Sequence, residues 1–468
     1  MALSISLVAL FFLLFRLIYR NWHRAAFAAA ALTVLFFTYG HAYNLISEKW
    51  TVPHLTVWML AAWLVLSAIA LVWAGVRKAR FDNAAVGLNI VSLGLVLFVL
   101  VKVLGRSVPP PRNGAPVDDH APLQGLNVPA GQTLPDIYYI IPDSYGRSDL
   151  LLNAFKYDNS AFIQRLQELG FYVAGCSQSN YNRTDISMAS SLNMDYLQDL
   201  DDDFQPGNIG RATLWASISQ STVRYELESI GYKTVAFATG FAWSEITDAD
   251  VYLAPSPVWS AMTSFETLLI RTTPLRHFED LGWINLDQID GQHYRERTLF
   301  ILNSMDELAH MPGPKLVFIH ILPPHPLFVF GPDGSFTDPA AFLNENNRYN
   351  TDAFKSGFLN QSRYISSQLE TALSTLLSES STPPVIILQG DHAPWLQTGS
   401  DRFKILNAYY LPGHNDLLYP AISPVNTFRL VLDAYLGADY PLLSDTSYFS
   451  PIPNIYEFQE TLNPCLNP

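Results

Sequence analysis

Apolar runs of bilayer length crowd the first 112 residues of this 468-residue chain, and they limit its fold more than any other feature. Four stretches stand out: Ala2–Tyr19, Ala25–Leu45, Leu55–Val76 and Ala84–Leu104. A spanning helix needs about 20 predominantly apolar residues, because each adds about 1.5 Å against a hydrocarbon core about 30 Å thick. The second and third stretches meet this easily, whereas the first carries Arg16 near its end. A cleaved signal peptide fits that first stretch less well than a span does, since it has no basic leading region and no small-residue cleavage site before Arg20. Four spans are the expectation.

Charge divides at the same place. Residues 1–112 hold ten Lys and Arg against two acids, Glu48 and Asp82, a net +8. The rest holds 18 basic and 40 acidic residues, a net −22, which together make the −14 of the whole chain. Such asymmetry marks two parts in different surroundings. An acidic chain of this kind is not expected to bind nucleic acid through a basic face. Arg20 and Arg24 lie in the first loop and Arg77, Lys78 and Arg80 in the third, while Ser47–His54 carries Glu48 and Lys49 and nets to zero. The bias of Lys and Arg toward the cytoplasm puts the first and third loops inside and both ends of the bundle outside. Lys102 and Arg106 weigh the other way, but less. The large acidic part is therefore expected to be extracytoplasmic, on an inner or plasma membrane. The middles of the stretches contain no Asp or Glu, the usual mark of an ion path, and His41 falls near a helix end. An anchor is expected rather than a transporter.

The expected organisation is an anchor over residues 1–106, a linker over 107–135 and a second domain over 136–468. The linker opens Pro109-Pro110-Pro111 and continues through Pro116, Pro122 and Pro129, a composition suited to a semi-extended tether. Beyond Asp136, continuous apolar runs at Ile137–Ile141, Phe171–Ala174, Thr234–Ala238, Leu316–Ile321, Val385–Leu388 and Lys404–Tyr410 alternate with amphipathic segments at Ser160–Leu169, Val223–Ile230, Tyr364–Leu377 and Asn426–Tyr435. Strands buried on both faces and interleaved with helices predict an α/β domain with a largely parallel sheet covered by helices. Two cysteines are too few for a disulfide framework or a multi-cysteine zinc scaffold, although Cys176 and Cys465 are free to pair in an oxidising compartment.

Functional groups of an open parallel sheet collect beyond the carboxyl ends of its strands. Asp143 follows one apolar strand; His320 ends another, with His325 five residues on; Asp391-His392 follows a third. Singly, each has a plain structural explanation as a turn residue or a hydrogen-bonded core histidine. Together at one sheet edge, carboxylates and imidazoles suit Zn²⁺, or Mn²⁺ if the site is oxygen-rich. Thr184 opens a segment of helical character from Asp185 on. A hydroxyl there meets free backbone N–H groups and the positive end of the helix dipole, which favours a nucleophile acting on a phosphoryl group, but an ordinary N-cap explains it equally in isolation.

The ordered motifs DIYYIIPDSYGRSD, SNYNRTDISMASS, HILPPHPLF and ILQGDHAP resemble the alkaline phosphatase/sulfatase-like superfamily, and in plan its membrane-anchored members, the lipoteichoic acid synthases and lipid A phosphoethanolamine transferases. The resemblance spans about Asp136 to Leu436. It implies an alkaline-phosphatase-like domain in which Thr184 is the nucleophile and Asp143, Thr184, Asp391 and His392 hold a divalent metal, Zn or Mn. It further implies that His325, and at a matching spacing His320, contact substrate phosphate. Arg147 and Arg183 are added as candidates for orienting phosphate oxygens. Cys176-Ser177-Gln178-Ser179-Asn180 lacks the Pro and Arg of a sulfatase Cys/Ser-x-Pro-x-Arg stretch, which disfavours sulfate-ester hydrolysis. The implied activity is transfer of a phospho-head-group, phosphoglycerol or phosphoethanolamine, from a membrane lipid donor to an envelope glycan or lipid acceptor. A phosphatase or phosphodiesterase of the same fold and a catalytically silent membrane scaffold are the alternatives.

Overall fold

The computed structural model describes residues 2–50, 52–76, 97, 126–128, 131, 133–256, 264–342, 351–394 and 396–465. Apart from position 97, the fourth apolar stretch lies outside the described residues, as does most of the 107–135 linker. The chain forms two compact units: residues 1–115 with 260–286, and residues 116–259 with 287–468. Residues 260–286, which the sequence reading left inside the second domain, thus belong with the first unit.

In the first unit, α1 (Ala2–Tyr19), α2 (Trp22–Lys49) and α3 (Leu55–Val76) follow the apolar stretches. Two of them are long and apolar enough to cross a membrane, over Trp22–Ser47 and Leu55–Gly75; the apolar part of α1, Val8–Tyr19, is shorter. Of the four expected spans, then, two meet the requirement among the described residues. Asn21 caps α2 by accepting the Arg24 N–H. Buried Ala25, Ala28, Ala29 and Ala74 sit with Phe15 in a small core, where minimal side chains let helix backbones approach. The side chains left facing outward are apolar: Val57, Trp58, Leu64, Val65, Leu66, Ile69 and Val72 on α3 are all exposed. That is the surface a lipid solvent calls for and water does not. Residues 264–286 contribute two short helices to this unit, described below.

The second unit is built on a seven-stranded sheet of order β2-β7-β6-β1-β5-β3-β4. The strands are β1 (Ile137–Pro142), β2 (Tyr172–Val173), β3 (Lys233–Phe237), β4 (Val251–Leu253), β5 (Lys315–Ile321), β6 (Val385–Gln389) and β7 (Asn407–Tyr410). β6, β1, β5, β3 and β4 run parallel; β7 and β2 add an antiparallel edge. β1, β5 and β6 are buried at every residue, so both sheet faces are covered. Alternation of side chains sends Ile137, Tyr139 and Ile141 into one core and Tyr138 and Ile140 into the other. The first core lies under α4 (Thr184–Asn193) and the helix Pro424–Leu436; the second lies under the long helix Thr351–Glu379. The register sets Ile141 opposite His320, so the ends of β1 and β5 coincide, with β6 on the other flank of β1. Cys176 and Cys465 form a disulfide with Cα atoms 5.7 Å apart.

Candidate active site and metal centre

Three neighbouring strands deliver the cluster. Asp143 extends β1, its N–H donating to the Ile321 carbonyl at 2.9 Å. His320 stands near the end of β5, and Asp391 and His392 follow β6 after Gly390. Glycine is needed at 390, because a Cβ there would lie 2.5 Å from the Tyr145 carbonyl oxygen. All four side chains are buried.

Ligating atoms of Asp143, Asp391 and His392 lie within 4.8 Å of one another. The His392 ring has a defined task for each nitrogen. Its Nδ1 is 2.7 Å from the Ala393 carbonyl, an acceptor only, so the Nδ1–H donates there and Nε2 is the nitrogen turned to the cluster. That Nε2 is 3.0 Å from Thr184 Oγ1 and 3.4 Å from Asp391 Oδ2. His320 Nε2 approaches Asp143 Oδ2 at 3.4 Å, while its Nδ1 lies 3.2 Å from Ser244 Oγ and its ring packs on Trp243. Two buried atoms in this cluster, Asp391 Oδ2 and His320 Nε2, have no hydrogen-bond partner. An orphaned carboxylate oxygen on Asp391, within a group of two carboxylates and an imidazole, fits a divalent cation.

The charges agree. Burial would raise the Asp143 carboxyl, but the neighbouring His325, His320 and His392 hold it well below the usual carboxylate range. Burial, and then the Asp143 charge, push Asp391 above it. Two acids held apart in this way are a site short of positive charge.

Thr184 is the first residue of α4, and the cap position is Arg183, whose side chain makes no cap bond. The plain N-cap explanation for Thr184 therefore does not describe it: its hydroxyl points at His392. The hydroxyls nearby are engaged elsewhere, Ser144 donating to Asp143 and Ser187 to the Asp391 carbonyl. Thr184, His325 and His392 open onto a cleft of about 740 Å³, together with Arg183, Arg211 and Arg402. The one acid on that wall, Asp185, pairs with Arg211 and with Arg183. Arg183 Nη1 is buried without a hydrogen-bond partner. Burial and the Arg183 charge depress the Arg402 guanidinium below its usual range. Several guanidinium groups against one carboxylate suit an anionic, phosphate-bearing ligand.

Of the residues singled out in the sequence, Asp143, Thr184, His320, Asp391 and His392 come together, with His325 and Arg183 on the cleft. Arg147 does not join them. Its guanidinium is taken up by Asp149, at 2.7 and 3.0 Å, and by the Ser177 carbonyl at 3.0 Å. Arg211, Arg402 and Trp243 were not anticipated; they stand in loops or at helix edges whose local sequence carries no signal.

No family model matches the chain, and no curated protein does either. Among solved structures, it is similar to the C-terminal periplasmic domain of EcEptC from Escherichia coli in complex with Zn, at 12% identity over 73% of this chain and 96% of that one, with a TM-score of 0.47. It is also similar to the integral membrane lipooligosaccharide phosphoethanolamine transferase A from Neisseria meningitidis, at 13% identity over 87% and 82% of the two chains and a TM-score of 0.41. A third is a protein in the alkaline phosphatase superfamily from Vibrio parahaemolyticus, at 12% identity, 71% and 78% coverage and a TM-score of 0.42.

Proposed function

We propose that the chain is a membrane-anchored, metal-dependent transferase of the alkaline phosphatase/sulfatase-like superfamily, moving a phospho-head-group from a lipid to an envelope glycan or lipid. The observation that carries this is a Thr184 hydroxyl relieved of capping, 3.0 Å from Nε2 of His392 in a buried metal-type cluster. Asp143, Asp391, His392 and Thr184 would hold the cation. A bound Zn²⁺ or Mn²⁺ lowers the pKa of a coordinated hydroxyl and offsets phosphoryl charge.

The protein's own groups then do the following. Thr184 Oγ1 attacks phosphorus in line, its O–P bond forming as the bond from phosphorus to the lipid alcohol breaks; the Thr184 proton ends on the released alcohol. His325 and Arg183 hold the non-bridging oxygens through charge-assisted hydrogen bonds. In the second step an acceptor hydroxyl attacks the same phosphorus, its O–P bond forming as the Thr184 O–P bond breaks, and its proton ends on the released Thr184 oxygen. Head-group transfer to a sugar or lipid hydroxyl makes a transferase; water in that place makes a hydrolase. The anchor keeps the site near lipid donors, and the Cys176–Cys465 disulfide fits an extracytoplasmic location.

The test is the mass of the Thr184 peptide after incubating the full-length protein with Mn²⁺ or Zn²⁺ and mixed phosphatidylglycerol and phosphatidylethanolamine. A phosphoglycerol or phosphoethanolamine adduct, absent in Thr184→Ala, is expected and names the donor. Bare phosphate would replace this reading with a phosphatase. No adduct in a protein that also binds no metal would leave a silent scaffold.

A further inference from the structure

The chain leaves the second unit after Trp259 and returns to it at Asp287, and the intervening residues pack on the apolar helices of the first. Within this excursion, α5 (Ser264–Arg271) and α6 (Arg276–Asp280) are tied to each other by a two-point ion pair of Arg271 with Glu279, at 3.1 and 2.7 Å. One side is clamped to α2. Tyr39 Oη lies 2.7 Å from His277 Nε2, the Gly40 N–H donates to the Thr272 carbonyl at 3.0 Å, and Arg276 donates to Asn44 at 3.2 Å while stacking 3.7 Å above the Tyr43 ring. The approach at Gly40 excludes any side chain, since a Cβ would sit 2.4 Å from the Thr272 Cα. Away from these contacts, large apolar side chains stand exposed. Leu268, Leu275 and Phe278 are exposed there, with Leu281 at 63% and Trp283 at 71%. Too many large apolar groups stand in one short segment for an ordinary water-facing surface.

We propose that residues 264–286 are an interfacial finger whose exposed apolar face enters the outer leaflet of the membrane at the headgroup boundary. The proposal rests on the reading that α2 and α3 cross a bilayer. Three observations choose lipid as the occupant. First, the finger docks where α2 changes from an apolar run to Gly40, His41, Tyr43 and Asn44. From Arg24 to Gly40 the helix rises about 24 Å, most of the way across a hydrocarbon core about 30 Å thick. Second, its composition is that of an interface: Trp283, Phe278 and leucines facing out, with Arg271 and Arg276 held back against the protein. Third, the finger stands at the end of the bundle away from the basic loops. Arg24 Nη1 donates to the Gly75 carbonyl, which brings the end of α3 beside the start of α2, whereas Tyr43 meets Thr56 at the opposite end. Arg20 and Arg24 mark the first of these ends, and the sequence runs on from Val76 into Arg77, Lys78 and Arg80. The Lys/Arg bias makes that end cytoplasmic, so the finger is outside.

The described chain has no free cysteine, so single cysteines can carry an environment-sensitive dye. Full-length Leu281→Cys, Trp283→Cys, Val72→Cys and Ile209→Cys would be labelled and placed in phosphatidylethanolamine/phosphatidylglycerol nanodiscs containing a nitroxide lipid with its spin near the headgroup. Val72 reports the anchor and Ile209 an exposed position of the second unit. Quenching at 281 and 283 about threefold above that at 209, with a blue-shifted dye, is expected for groups seated in the interface. Adding Gly40→Val to Leu281→Cys should reduce this quenching by undocking the finger. Quenching at 281 and 283 no greater than at 209, with Val72 strongly quenched, would overturn the finger and leave the anchor standing, with a protein partner as the occupant to pursue. An unquenched Val72 would overturn the membrane reading itself.

Discussion

At Thr184 one position of offset decides what the hydroxyl meets. Were it the cap, its hydroxyl would accept from a backbone N–H two or three residues on; with Arg183 in the cap position, the hydroxyl is left for His392. The arginines show the same dependence on small placements. Arg183 keeps a buried nitrogen without a partner on the cleft, while Arg147 spends its guanidinium on Asp149 and Ser177. Asp149 reports this structural role by titration. Burial raises its carboxyl, but Arg147 and then Lys404 overcome that and lower it to about 2. A folded-state pKa below the unfolded value of about 3.9 gives stability that is present above that value and lost as pH falls. Thermal melts of the wild type and Asp149→Asn should therefore differ at pH 6 and converge between about pH 4 and about pH 2. A gap that stays constant through this window would remove the pair's claim to structure and return Arg147 to the substrate.

Strand ends rather than strand interiors carry the site, and this explains what the sequence could reveal. β1, β5 and β6 are continuous apolar runs because both faces are covered, so their ends, and with them Asp143, His320 and Asp391-His392, are legible from hydrophobicity alone. Other parts obey long-range packing. The helix read as Tyr364–Leu377 begins at Thr351, because Phe354 and Phe358 reach the core and Gly357 admits the Phe328 ring, a contact no local pattern announces. The short strand β4 and the antiparallel sense of β2 and β7 depend on partners distant in sequence. Arg211 and Arg402 were silent for the same reason, and α5–α6 carry no local signal because the helix they lean on is more than 200 residues earlier in the chain. The turn after β6 allows a direct check. Gly390→Ala would force its loop off the Tyr145 carbonyl and displace Asp391 and His392, while leaving β6 buried. Metal content by elemental analysis should fall about tenfold or more with little change in the far-ultraviolet circular dichroism. Full metal occupancy in a folded variant would mean that Asp391 and His392 are not the ligands.

Over the whole chain, the two units are stabilised by different means. The first unit leaves large apolar side chains exposed, whereas the second buries two continuous cores on either side of one sheet. The second unit also closes its own chain end: the disulfide joins Cys176, just beyond β2, to Cys465 across 289 positions, and Asn463 donates to the Cys176 carbonyl at 3.0 Å. The preceding segment pairs β8 (Ser447–Phe449) with β9 (Gln459–Thr461) beside the cleft, where Phe449, Ser450 and Ile452 form part of the wall. Ser450 is held by Asn182, two residues before Thr184, so this segment and the start of α4 share a support. Removing a bond that closes so long a loop costs about 2–5 kcal/mol by loss of constraint on the unfolded chain. Cys465→Ser should thus lower the melting temperature of the second unit, and protease should release the end of the chain first, before the sheet. Adduct formation at Thr184 should fall in parallel as the Phe449–Ile452 wall loosens. A variant that melts lower yet forms the adduct at the wild-type rate would show that this wall serves stability alone and that the reacting groups depend only on the strand ends.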